Sequence, residues 1–168
     1  GFVGIDPKEV GRQQGEFVAE SLKDVPAGKV LIFKTGASHE WEKDLLEGNR
    51  EGLGKHNRLQ IIERDMPGTD IPLKLNQLWE ELGKLDAVIT HDTKTTKAVL
   101  VSLAGQSFEP VSTGIGAAKE TVEFIAAGKH QAEVDLEPEV MARYAFDAAV
   151  KLATSGEWDY ESWVDSGA

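Results

Sequence analysis

Five short apolar runs, each followed within a few residues by an amphipathic stretch, constrain this chain more than any other feature. The runs lie in "GKVLIFKTGAS", "LQIIERD", "DAVITHD", "EPVSTGIG" and "QAEVDLEP". Each holds β-branched or aromatic residues and stops at glycine, proline or a polar pair, as strands do. The stretches between them carry apolar residues at helical spacing. In "HEWEKDLLEGNREGLGKH", Trp41, Leu45, Leu46 and Leu53 share a face, with acids early and Lys55 late, as the helix dipole favours. Leu75, Leu78, Trp79 and Leu82 form the apolar stripe of "IPLKLNQLWEELGK". "TKTTKAVLVSLAG", "AAKETVEFIAAGKH" and "EVMARYAFDAAVKLATSG" complete the alternation. A further helix precedes it all, with Asp6 as cap, Pro7 in its first turn, and Val10, Phe17, Val18 and Leu22 facing inward.

Strands alternating with helices across short connections predict βαβ units around a mainly parallel sheet. Right-handed crossovers place helices on both faces, which makes a doubly wound α/β fold of five strands. The expected strand order is the flavodoxin-like 2-1-3-4-5, in one domain spanning residues 1–168. Such sheets bind ligands beyond the carboxyl ends of their strands, at the switch point between the first and third. That rule selects the stretch from Thr35 to His39 and the stretch from Thr90 to Thr93. The second falls inside "VITHDTKTTKAV", where an apolar run stops abruptly at a histidine and an aspartate.

Composition removes several classes of function. A formal charge of −11, with basic residues scattered among acids, argues against a nucleic-acid partner. Without cysteine there are no disulfides and no thiolate metal sites. No run approaches the roughly 18 apolar residues of a membrane span, so no membrane insertion is expected. No basic-then-apolar signal segment opens the chain, and Gly1 has the character of a trimmed beginning.

The chemistry at the strand ends is sparse. His39 and Glu40 can face His91 and Asp92 across the switch point, and all are acceptable metal-ligand types. No HxxxH or HExxH spacing fixes two of them on one element, so solvated loop histidines are the expected state. "KTGAS" before a helix can cradle an anion, but it lacks the P-loop and GxGxxG patterns, and "TGIGAAK" reads as a tight strand-to-helix connection. No GxSxG elbow and no cysteine nucleophile is present. A phospho-acceptor receiver would need acids after its first strand and a lysine after its last, which "VLIFKTGAS" and "VDLEPE" do not supply. The expectation is a non-enzyme without cofactor or metal.

The order of segments resembles the C-terminal lobe of ribose/galactose-type periplasmic substrate-binding proteins, which also serves as the effector domain of sugar-responsive repressors. "VGIDPKEVGRQQGEFVAESL" is similar to the family's entry into that lobe, with Gly11 and Gly15 at its glycine places. "LDAVITHDTKTTKAVL" resembles the family's "DAVFAxNDxxAxGAL", and "PVSTGIGAAKETVEFIAAGKHQAEVDLEPEVMARYAFDAAVKL" its remainder. The likeness spans about residues 3–153. It implies half of a Venus-flytrap protein that clamps a small molecule between two lobes. The N-terminal lobe would be missing here, and residues 154–168, with Trp158 and Trp163, would lead toward it. An ABC-transporter permease or a sensor kinase would be the partner, and the periplasm the location, with the cytoplasm the location for a repressor.

Carried over position by position, the resemblance places His91 and Asp92 at the family's "ND" pair and Ile115 at the aspartate of "GFDG". Leu45 falls at an arginine of the sugar binders, counted from Gly48, with Lys43 the nearest cation, and Leu136 falls near their glutamine. Three polar clamps thus become aliphatic, which implies either a ligand poorer in hydroxyls than a pyranose or a shifted register. The ligand-binding candidates are Ser38, Trp41, Lys43, His91, Asp92, Thr113, Ile115 and Leu136. Trp41 can stack on a ligand ring, although its helical position favours the core, where Trp79 is also expected. Three readings stand at this point: a solute-binding lobe for a sugar-like or less polar molecule, a repressor's effector domain, and a small metal-dependent enzyme of flavodoxin-like architecture.

Overall fold

The structure, a computed structural model, describes residues 4–35, 40–54, 58–66 and 68–156. Eleven elements alternate: α1 (Pro7–Ser21), β1 (Gly28–Lys34), α2 (Glu40–Leu53), β2 (Leu59–Asp65), α3 (Ile71–Leu82), β3 (Ala87–Ile89), α4 (Thr93–Leu103), β4 (Val111–Ile115), α5 (Lys119–Ala126), β5 (Ala132–Val134) and α6 (Pro138–Ser155). The five strands form one sheet in the order β2-β1-β3-β4-β5, and every pairing is parallel. The expected strand order and the α/β class therefore hold, with the sheet wholly rather than mainly parallel.

The chain divides into two compact units. One is Asp6–Asp135, which contains the entire sheet; the other holds residues 1–5 and 136–168. Within the first, Val30, Leu31, Ile32 and Phe33 of β1 are all fully buried, as expected of a central strand covered on both faces. Val30, Ile32, Ala87 and Ile89 pack against Val18 and Leu22 near the end of α1 and Leu46 and Leu53 of α2. Leu31, Phe33 and Val88 pack on the opposite side against Leu75 and Trp79 of α3 and Val99 of α4. Trp79 meets Phe33 edge-on at 6.1 Å and donates its indole N–H to Ser102 Oγ at 3.1 Å.

Helices α1 and α2 touch through glycine. A Cβ at Gly11 or Gly15 would overlap the carbonyl oxygens of Leu45 or Asn49, and one at Gly48 or Gly52 would overlap those of Lys8 or Arg12. Two glycine pairs four residues apart, one on each helix, let the backbones meet directly. Phe17, expected to face inward, is instead exposed at the rim of this contact, because the stripe that packs runs Val10, Gln14, Val18, Leu22. Asp6 caps α1 as expected, its carboxylate accepting from the N–H of Lys8 and of Glu9.

In the second unit, α6 has Pro138 in its first turn and Gly156 at its C-cap with φ +71°. Tyr144, Phe146, Val150 and Leu152 are all exposed on it.

Candidate functional site

Three neighbouring strands, β1, β3 and β4, run into turns whose polar groups are held from below. At the end of β1, the N–H and the hydroxyl of Thr35 both donate to Glu42 Oε1, the hydroxyl at 3.0 Å. Glu42 is thereby buried on the first turn of α2. Trp41 stands beside it, 41% exposed. The core position expected for Trp41 is not what the structure shows. Lys43 is exposed on the same turn.

At the end of β3, Thr90, His91 and Asp92 divide their work. Thr90 Oγ1 lies 2.7 Å from Thr96 Oγ1 and donates to Thr113 O at 3.1 Å, tying the turn to α4 and β4. Asp92 is the N-cap of α4: one carboxylate oxygen accepts from Thr95 N at 2.8 Å and the other from Thr95 Oγ1 at 2.7 Å. The carboxylate favours the positive helix end and stays half-buried at the mouth of the turn.

His91 turns inward, 6% exposed, toward the α1–α2 pair. Its Nε2 is 2.7 Å from Asn49 Oδ1, while Asn49 Nδ2 donates to Gly11 O at 2.9 Å and to Gln14 Oε1 at 3.2 Å. Gln14 Nε2 in turn donates to Thr90 O at 3.0 Å. The amide's two donors are thus spent, its oxygen is the acceptor, and His91 carries its proton on Nε2. Nδ1 is a buried acceptor with no hydrogen-bond partner among the described residues. Burial lowers the His91 pKa to about 4, against the smaller opposing pull of Asp92 and Glu63. At neutral pH this imidazole is uncharged.

At the end of β4, Gly116 (φ +115°) and Ala117 (φ +45°) make the turn into α5. Thr113 and Ile115 are buried within the strand, and Leu45 is buried on α2. Leu136 is half-buried and belongs to the second unit; Ser38 and His39 lie outside the described residues. Among the described candidates that follow these strands, Trp41 and Lys43 are exposed and Asp92 is half-buried. Among the described residues no group of three or more His, Asp or Glu side chains is placed to hold a metal ion.

A second polar cluster escaped sequence reasoning. His130 Nδ1 is 2.7 Å from Ser112 Oγ, and its Nε2 is 3.0 Å from Glu133 Oε1. Serine, histidine and carboxylate in a row resemble a hydrolytic triad, but the histidine side chain is fully buried and that of Glu133 is 2% exposed. The Ser112 hydroxyl is also within 3.1 Å of Gln131 Oε1, and no substrate reaches it.

A periplasmic binding protein domain matches residues 1–157. The chain belongs to the periplasmic binding protein domain family. That family consists of substrate-binding proteins rather than enzymes, so the metal-dependent enzyme reading falls. Among solved structures, an ABC-transporter solute-binding protein of Actinobacillus succinogenes 130z with bound D-allose superposes at a TM-score of 0.82 and 16% identity, covering 97% of this chain and 59% of that one. One from Bacillus halodurans C-125 with bound myo-inositol gives 0.78 at 23% identity, covering 93% and 55%. One from Mycobacterium smegmatis with bound glycerol gives 0.77 at 21% identity, covering 99% and 58%. The chain therefore spans little more than half the length of these neighbours. No curated protein sequence matches it.

Proposed function

We propose that this chain is one lobe of an extracytoplasmic solute-binding protein. Its ligand is a small polyhydroxylated molecule, a sugar or a polyol, held at the carboxyl ends of β1, β3 and β4. The reading is carried by an exposed indole, Trp41 on the first turn of α2 after β1, and by the Asp92 carboxylate at the N-cap of α4 after β3, the strand that pairs with β1. An aromatic face covers the C–H surface of a ring or polyol, and a carboxylate accepts from its hydroxyls. D-Allose, myo-inositol and glycerol in the structural neighbours support this ligand class.

Two of the three aliphatic substitutions lose their force against a hydroxyl-rich ligand. Leu45 and Ile115 lie in the core, where an aliphatic side chain is what packing requires. A second lobe would complete the site, and ligand would drive closure by binding the closed arrangement more tightly. A membrane permease or a sensor then recognises the closed form.

A thermal-shift screen of the full-length protein with sugars, polyols, aromatic acids and amines tests the proposal. Sugars or polyols should raise the melting temperature. Stabilisation by aromatic acids or amines alone would overturn the ligand class.

A further inference from the structure

We propose that Glu133 is a positioning residue for the ligand site, its carboxylate held beneath the β4–α5 turn by His130 so as to fix the backbone N–H of Ala117. The inference rests on reading the strand ends as the ligand site, and it adds a residue that touches no ligand. Ala117 is an alanine with φ +45°, and such a left-handed conformation costs roughly 1 kcal/mol or more for a residue with a Cβ. A local bond must offset that cost. The Ala117 N–H donates to Glu133 Oε2 at 3.0 Å, while Gly116 N is held by Val134 O at 2.9 Å.

The carboxylate is itself over-determined. Oε1 takes His130 Nε2 at 3.0 Å, His130 Nδ1 meets Ser112 Oγ at 2.7 Å, and Gln131 Oε1 accepts from Ser112 N at 2.7 Å. Carboxylates are seldom buried without such partners. Gly114 makes room for this one: a Cβ there would overlap Glu133 Oε1 and Thr96 Oγ1. Thr96 is bonded to Asp92 O at 2.9 Å and meets Thr90 Oγ1, so the same point braces the β3 turn. A carboxylate, a glycine and two threonines thus join the two strand ends that flank the site. Moving Glu133 would let the Gly116–Ala118 turn relax and change the wall that a ligand meets.

The test compares wild type with E133Q, which keeps an oxygen for the Ala117 N–H, and E133V, which suits a strand but has none. Amide NMR of the ligand-free chain comes first. In E133V the Ala117 amide should shift upfield and exchange with solvent roughly tenfold faster or more, whereas E133Q should stay close to wild type. If E133V does not fold, E133T, whose hydroxyl is too short to reach Ala117, takes its place. The second measurement is calorimetry on the full-length protein with D-allose and myo-inositol, at a temperature where every variant is folded. Affinity for whichever probe binds wild type should fall roughly tenfold in E133V and recover in E133Q. A structural defect alone would lower the melting temperature without that split between the two variants. An unchanged Ala117 amide in E133V, unchanged probe affinity in E133V, or an E133Q as impaired as E133V, overturns the proposal. Should wild type bind neither probe nor any other polyol, the solute reading fails instead, and the amide measurements alone decide whether Glu133 positions the turn.

Discussion

His91 and Asn49, 42 residues apart, share a 2.7 Å hydrogen bond that closes a buried circuit from the β3 turn through both α1 and α2. From Thr90 O the circuit passes through Gln14 and Asn49 and returns at the His91 ring. Each group in it has one role, and the role of the imidazole requires it to be neutral. Protonation would place a second N–H on Nδ1, which faces no acceptor among the described residues.

Acid should therefore weaken the fold through His91. With the folded-state pKa lowered to about 4 from 6.5, the unfolded chain takes up the proton first as pH falls. Stability is fully present above about pH 6.5 and is lost progressively down to pH 4, by an amount on the order of 3 kcal/mol. Carboxylates titrate in the same range, so the informative quantity is a difference. In urea unfolding at pH 7.5 and 4.5, H91Q, which can still donate to Asn49, should lose less stability than wild type. Equal losses would show that His91 does not carry the effect.

The glycine crossing should be intolerant of one methyl group. In G48A the new Cβ would meet the Lys8 carbonyl oxygen and the Arg12 N–H, both backbone, so the helices must part. Overpacking of this kind costs about 2–3 kcal/mol, or a melting temperature lower by roughly 5–10 °C. G105A, where a Cβ meets nothing within 4 Å, is the control and should stay within about 0.5 kcal/mol of wild type. Circular dichroism melts of both variants decide it.

How much of this was legible beforehand differs from one residue to the next. Val30 to Phe33 announce a strand covered on both faces, and the alternation announces a parallel sheet, whereas the order 2-1-3-4-5 was an inference from five strands in a doubly wound fold. The inward turn of His91 had a signal that was not used. Ala87 and Ile89 face the α1–α2 side, so period-two alternation carries residue 91 to that side as well. The buried amides had one too: Gln14 lies four residues from Val10 and from Val18, and Asn49 four from Leu45 and from Leu53, on the packing stripes. Periodicity puts Trp41 on the apolar stripe with Leu45, yet it is 41% exposed, because helical spacing assigns a face without saying how far burial extends along it. The His130–Glu133 contact joins a loop residue to the middle of the three-residue strand β5, a run too short for its period to be read.

The two helical tryptophans should separate folding from binding. Trp79 is 2% exposed, edge-on to Phe33 and bonded to Ser102, so W79A should cost about 3–5 kcal/mol. Trp41 has no comparable packing, and W41A should change stability by less than about 1 kcal/mol. If the indole is the platform for a ring or polyol, W41A should weaken affinity for the sugar or polyol found by screening roughly five- to tenfold. W41F, which keeps an aromatic face, should recover most of that loss. Calorimetry on the full-length protein reads the affinity and a thermal melt reads the stability. A W41A protein that binds as tightly as wild type would remove Trp41 from the site and leave Asp92 to carry ligand recognition on this lobe.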